Sequence, residues 1–471
     1  MRAQRCFCGV VAVCMALLSV PEMAAATGLA YRDATTGRWK GIAANGDVRS
    51  GGAFAGKKFA GFSGTIKASI DAIPAGPCGV APSVVAAFSG HLATPSPNTG
   101  LFLYDATTDT IMDAVIQGAA TPIGGTWKPF SNNNPAIAID ASTCLVHVYF
   151  RGQATGVAPN DTGIFDAAFG PLPGFAAGPV TVVAQEGVTP APAPFPGASV
   201  FGDFPAALHV TAASDLVFGG DAHVAFRGQV TGGGVTGANN SGVFLATTAV
   251  PGIKTAAREG DVTCPPTFGG TSFSEFPAAI DLAIGDPFAG NGPQVVFRAK
   301  SAGAPPTSDT AVIDTAPVGL PCGVAVMFPA VEGAATPVGG TYAEFPSSTP
   351  VAASGGGGGF PPTIAFLSNV TGGTAPKALF YSILFGPTIS VVAQGLPGTT
   401  LGSGAVGLSP GTLSPSVNSD GYLIFRASVS GAGTGLFFFN SLAGPVVPES
   451  VAGAYRNARL DRLGNMTARF P

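Results

Sequence analysis

The sequence predicts an all-β fold, a β-propeller of six tandem repeats, each with four short strands and about 70 residues. A recurring strand is the first sign. "VYFRGQATG" (148–156) returns as "VAFRGQVTGG" (224–233), "VVFRAKSAG" (295–303) and "LIFRASVSG" (423–431). Its phenylalanine has counterparts at Phe88, Phe150, Phe226, Phe297, Phe366 and Phe425, spaced 62, 76, 71, 69 and 59 residues apart. A second landmark keeps the same period. It is a glycine closing a β-like run, at Gly46, Gly118, Gly187, Gly260, Gly333 and Gly395, with spacings of 72, 69, 73, 73 and 62. Composition is the third sign. Gly (68) and Pro (42) make up nearly a quarter of the 471 residues, the hydrophobic fraction is 46%, and charged residues are 10%. Such a chain is apolar and rich in turns, as short strands in a packed core require, and unlike a disordered one.

Each copy carries four strand-like pieces. The first is "GLFLY" at Gly100, "GIF" at Gly163, "GVFLA" at Gly242 and "ALFYS" at Ala378, with "GLAYR" at Gly28 opening the series. The second is the run ending at the landmark glycine, and a Pro/Gly-rich turn follows it. The third is an aromatic-x-x-Phe signature leading into a short apolar run: Phe59/Phe62, Trp127/Phe130, Phe201/Phe204, Phe273/Phe276 and Tyr342/Phe345. The fourth is the "VAFR" strand. Four strands of ~5–6 residues plus turns fill the period. One four-stranded unit cannot bury both faces alone, so the copies must stack, and closing the ring protects the sheet edges. "GLFFF" at Gly435 either closes the ring against the opening copy or begins a partial seventh blade. An open β-solenoid is the alternative architecture.

The first 26 residues read as a signal peptide: basic "MRAQR", apolar "CFCGVVAVCMALLSV" and a cleavage site at Ala24-Ala25-Ala26. The propeller is expected over 27–441 and a polar tail over 442–471. No transmembrane segment is expected after cleavage. The exported part keeps four cysteines, Cys78, Cys144, Cys264 and Cys322, which predicts disulfides. Cys78 and Cys144 precede the Phe strand in successive copies, so Cys78–Cys144 is the favoured pair, with Cys264–Cys322 the other. No Cys/His cluster points to a metal, and no cofactor is expected.

Charge is scarce enough to be informative. The net charge is −4 with no basic run, which disfavours nucleic acid as a partner. Arg151, Arg227, Arg298 and Arg426 recur beside the strand phenylalanine, on the opposite face from it. A buried arginine needs a partner. Glu186, Glu259 and Glu332, before the landmark glycine, are candidates for structural ion pairs. So are Asp203, Glu275 and Glu344, before the signature phenylalanine. A ligand-binding ring of these charges is the competing reading. Asp203, Glu275 and Glu344 are also candidates to face a ligand in a central funnel, with Trp127 as a carbohydrate-stacking ring. His147 and His223 hold corresponding places and read as structural. Nucleophile-elbow, zinc-protease, P-loop and EF-hand motifs are missing from the sequence.

The segment "NSDGYLIFRA" (418–427) resembles a bacterial family of exported tandem-repeat proteins with an N-x-x-G-x-x-A-F motif and "choice of anchor" C-termini. Asn418, Gly421 and Phe425 stand at the motif positions, with Ile424 in place of its alanine. "DASTCLVHVYF" keeps only an acidic residue, Asp140, where the motif has asparagine. The resemblance implies export, periplasmic or extracellular, and no catalytic residues. The expected function is a non-catalytic binding or structural module of the cell envelope or extracellular space. It would act as a monomer on a protein or glycan ligand. A polysaccharide-acting hydrolase or lyase on the same scaffold is the alternative.

Overall fold

The computed structural model describes residues 28–470 apart from 33–38, 63–68, 74–77, 79–82, 94, 131–133, 171–174, 215–219, 249–251, 263–271, 286–292, 317–324, 355–362, 384–387, 396–405, 409–414, 419–421, 431–432, 441–443, 451–455 and 461–465. Every regular element in it is a β-strand. Six five-stranded antiparallel sheets form the blades of a propeller. They cover residues 59–116 (blade 1), 126–185 (blade 2), 199–258 (blade 3), 272–331 (blade 4), 341–393 (blade 5) and 406–450 (blade 6).

Blade 2 shows the plan. The long strand Leu145–Thr155 carries Phe150 and Arg151. Its first half pairs with Ala136–Asp140 and its second half with Thr126–Trp127, so the signature segment and the inner strand share one partner. Thr162–Phe169 pairs on the other side, and Ala177–Gln185 forms the outer edge. The two central strands are rich in Val, Ile, Phe and Ala and almost wholly buried, as strands sandwiched between neighbouring blades must be.

The sheet frame differs from the sequence frame. A blade joins the third and fourth pieces of one copy to the first and second pieces of the next, and hence "GLFFF" is the third strand of blade 6. The opening strand Gly28–Arg32 therefore has no signature segment before it. It pairs instead with Trp39–Ala44 on one side and Met466–Phe470 on the other, and Arg456–Leu460 completes a four-stranded closing sheet. Residues 442–471, expected to form a polar tail, thus supply the outer strand of blade 6, Gly444–Ser450, and two strands of this sheet. Polar composition misled because an outer or terminal strand has fewer faces to bury than a central one. The inner strands follow one another around the axis, and Arg456–Leu460 lies beside both Ser416–Val417 of blade 6 and Ser69–Ile73 of blade 1. The closing sheet stands between the last blade and the first.

The core is distributed between blades. One cluster joins Leu101 and Leu103 of blade 1 to Trp127, Phe150 and Phe165 of blade 2, and equivalent clusters fill the next interfaces. Leu29, Ile42 and Ala43 of the closing sheet pack on Phe59, Phe62 and Phe88 of blade 1. Within a blade the strand phenylalanine lies on the next strand's aromatic, as Phe226 on Phe244 with centroids 5.8 Å apart. The signature aromatic meets this pair edge-on: Phe201 to Phe244 is 4.8 Å at 76°. Gly228, after the arginine, is glycine because a Cβ there would come within 2.8 Å of Phe244 and 2.9 Å of Phe201.

Cys78 and Cys144 form a disulfide, with Cα atoms 5.4 Å apart, tying the inner turns of blades 1 and 2. Cys264, Cys322 and the signal segment lie outside the described residues. No described helix is long and apolar enough to cross a membrane.

Candidate functional site

The recurring arginine extends from its own blade into the next. Arg151 Nε donates to the Phe204 carbonyl oxygen at 2.8 Å, Arg227 Nε to that of Phe276 at 2.9 Å, and Arg298 Nε to that of Phe345 at 2.8 Å. Each acceptor is the signature phenylalanine of the following blade. A carbonyl there is available because the chain leaves the signature segment in a Phe-Pro turn and bonds no strand at that point. A second residue grips the backbone of the same phenylalanine. Thr162 Oγ1 accepts from Phe204 N at 3.1 Å and Thr310 Oγ1 from Phe345 N at 3.0 Å. Thr99 does the same for Phe130 of blade 2 at 3.0 Å.

The carboxylates expected to face the arginines are engaged otherwise. Glu186, Glu259 and Glu332 accept from the hydroxyls of Thr162 (2.8 Å), Ser241 (3.0 Å) and Thr310 (2.8 Å). In blade 1, Gln117 takes this place and bonds Thr99 at 3.1 Å. In blades 2 and 4 a relay joins these groups: glutamate to hydroxyl, hydroxyl to peptide N–H, arginine to peptide carbonyl. Glutamate and arginine grip opposite sides of the same peptide turn and interact through space. Burial pulls the pKa values of Arg151, Arg227 and Arg298 below the usual arginine range. The carboxylates oppose that: Asp203, Asp161 and Glu186 for Arg151, Glu259 for Arg227, and Glu275 foremost for Arg298. Glu275 Oε1 is 3.8 Å from Arg298 Nη1. Arg426, half-buried, stands in the same register, opposite Leu436 as Arg227 stands opposite Val243. Blade 5 has Leu367 at this position, packed with Leu408 of blade 6 in an apolar contact.

Asp203, Glu275 and Glu344 are exposed on the signature-turn side of three successive blades. Thr162 Oγ1 is also 3.1 Å from Asp203 Oδ1, so Asp203 and Glu186 share one hydroxyl, which has a single proton to give. Nearer the axis, where the inner strands of blades 3, 4 and 5 begin, His209 Nδ1 is 3.0 Å from Asp281 Oδ1, and Asp281 Oδ2 accepts from Val351 N at 3.2 Å. Trp127, expected to face a ligand, is 2% exposed. Its ring is enclosed by Phe130, Phe150 and Phe165, the last at 4.7 Å, because the signature aromatic fills the space left by the glycine after the arginine.

His147 and His223 are buried. His147 Nδ1 lies 2.7 Å from Asp166 Oδ2 and its ring stacks on Tyr149. The motif residues Asn418 and Asp140 form the turn into the arginine strand: Tyr422 N donates to Asn418 Oδ1 at 2.9 Å, and Ser142 N and Thr143 N to Asp140 Oδ1 at 2.9 and 3.1 Å. Among the described residues, no group of three or more His, Cys, Asp or Glu is placed to hold a metal ion. The gripping hydroxyls are the part missed by sequence reasoning. They had a signal, the recurring "NTG" (98–100), "DTG" (161–163), "NSG" (240–242) and "DTA" (309–311).

No protein-family model and no curated protein matches the chain. Solved structures with a similar strand arrangement include a sialidase of Trypanosoma rangeli bound to sialic acid. It is 10% identical with a TM-score of 0.40, covering 88% of this chain and 56% of that one. A fucose-specific lectin from Aleuria aurantia is 8% identical with a TM-score of 0.37, covering 82% and 95%. A Dyadobacter fermentans protein of unknown function is 10% identical with a TM-score of 0.38, covering 87% and 96%. At these scores no ligand or reaction carries over to this chain.

Proposed function

We propose that this chain is an exported, non-catalytic propeller module of the cell envelope or extracellular space. In this reading it holds a glycan or protein partner on the side bearing its signature turns. The observation that carries it is the use made of the repeated charges. Arg151, Arg227 and Arg298 are committed to carbonyls of the next blade, and Glu186, Glu259 and Glu332 to hydroxyls. A catalytic acid or base must reach its substrate with its proton free to move. In this reading the polar repeat is ring construction, and the exposed faces of Asp203, Glu275 and Glu344 are what a partner meets.

One observation favours the hydrolase reading enough to test it. The bonds to Thr162 place the Glu186 and Asp203 oxygens no more than about 6 Å apart, near the spacing of paired carboxylates in glycosidases. The experiment is to incubate residues 27–471 with a polysaccharide panel, assay new reducing ends, and follow the melting temperature in parallel. The binding reading predicts no turnover and a rise with at least one ligand, worth ~2.7 kcal/mol at a hundredfold excess over Kd. Turnover lost in both Asp203→Asn and Glu186→Gln would establish the hydrolase instead.

A further inference from the structure

Blade 1 has an open hollow where blade 2 holds an ion pair. Register makes the comparison direct. Phe59 pairs with Leu92, as Trp127 pairs with Ala154, and Ala60, at a register shift, follows the signature aromatic as Lys128 does. His91 opposite Thr99 matches Gln153 opposite Thr162, so Asn98 matches Asp161. In blade 2, Lys128 Nζ reaches Asp161 Oδ2 at 3.0 Å and Gln153 Nε2 reaches it at 3.1 Å, which spans the space. In blade 4 the lysine comes from the other strand: Lys300, opposite Thr310 as His91 is opposite Thr99, reaches Asp309 at 3.4 Å. In blade 1 Ala60 stands for the lysine of blade 2, His91 for that of blade 4 and Asn98 for the aspartate, and among the described residues no ion pair spans the space. What remains is a hollow lined by Ala60, Gly61, Phe62, His91, Leu92 and Asn98. A side chain at Gly61 would meet nothing within 4 Å.

We propose that this hollow binds a neutral polyhydroxyl ligand, such as a hexopyranose unit of a glycan, through His91 and Asn98. The inference rests on the binding reading above and assigns it a place and a ligand class. Among the described residues no carboxylate, ammonium or guanidinium lines the hollow, so they offer an ionic ligand no counter-charge. An imidazole and an amide each donate and accept, which suits hydroxyl groups. Ala60, Gly61, Phe62 and Leu92 give the remainder an apolar character, suited to the C–H face of a sugar ring. The neighbouring backbone is already fixed: Leu92 N donates to the Asn98 carbonyl oxygen at 2.8 Å, and Asn98 N to Gln117 Oε1 at 3.1 Å. His91 and Asn98, which both line the hollow, are thus held at the two ends of a hydrogen-bonded hairpin.

The test uses blade 2 as the template. Ala60→Lys with Asn98→Asp rebuilds the Lys–Asp bridge and should fill the hollow while keeping the fold. Methyl glycosides of glucose, galactose and mannose are titrated against both proteins by ligand-observed NMR, with glucuronic acid and glucosamine as charged comparators. The expected result is binding of at least one neutral glycoside, more tightly than either charged sugar, with Kd raised at least tenfold in the double variant. Should that variant not fold, His91→Ala is expected to raise Kd by the same factor. Binding equal in wild type and variant overturns the site and leaves the binding reading standing. Tighter binding of a charged sugar overturns the ligand class. If no neutral glycoside binds, this inference fails, while a protein partner on the signature-turn side remains consistent with the proposed function.

Discussion

Asp314 shows what a single residue costs when its partner is changed. It stands opposite Val296, at the place that Asp166 takes opposite Tyr149 in blade 2. Asp166 has His147 within 2.7 Å; in blade 4 the histidine position is Gln294. Both Asp314 oxygens and Gln294 Oε1 are buried without a hydrogen-bond partner. Burial pushes the Asp314 carboxyl up to about 7. Its folded-state pKa therefore lies above its unfolded value. Its effect is absent below about pH 4, grows as pH rises toward 7, and is a constant destabilisation above, on the order of 3–4 kcal/mol. Asp314→Asn is expected to stabilise the fold at pH 8 and to flatten the fall in stability between pH 4 and 7, read from urea midpoints across pH. Gripping hydroxyls are the opposite case. Thr310→Val leaves Phe345 N and Glu332 without their shared partner, and a loss of about 1–3 kcal/mol is expected in the same assay.

At the scale of the strand, packing against glycine is the main constraint. Gly228→Ala would drive a methyl group into Phe201 and Phe244. Overpacking of this kind costs about 1–3 kcal/mol, measurable as a lowered melting temperature. Strands were legible in the sequence because their chemistry is local: alternating or continuous apolar runs bounded by Gly and Pro. Phe226, Phe297 and Arg227 announced themselves by recurrence. The grouping of strands into sheets was not legible, because a repeat can be divided at any point in its period and the landmarks do not say where. Nor was the partner of the arginine. A carbonyl belongs to every residue, so sequence pattern pointed to carboxylates, whereas the structure supplies the Phe204, Phe276 and Phe345 carbonyls. The site in blade 1 was hidden for a related reason. Its hollow lies where Ala60 stands in place of the Lys128 of blade 2, and an absence has no motif.

Across the whole molecule, stability depends on closing the ring. Deleting 456–470 removes two strands of the closing sheet and leaves Gly28–Arg32 without its partner Met466–Phe470. The expected outcome is a broad, less cooperative urea transition with a smaller slope than the full chain. The Cys78–Cys144 bridge closes a separation of 66 residues between blades 1 and 2. Replacing both by serine should cost up to about 4 kcal/mol under oxidising conditions and nothing under reducing ones. The repeated arginine joins one blade to the next. The most direct test is the equilibrium urea unfolding of Arg227→Met against the wild type. A midpoint lowered by about 1–3 kcal/mol at unchanged slope is predicted, because the Phe276 carbonyl loses its charged donor while the ring remains one unit. A midpoint equal to that of the wild type would contradict the account and return the arginines to a ligand-binding role.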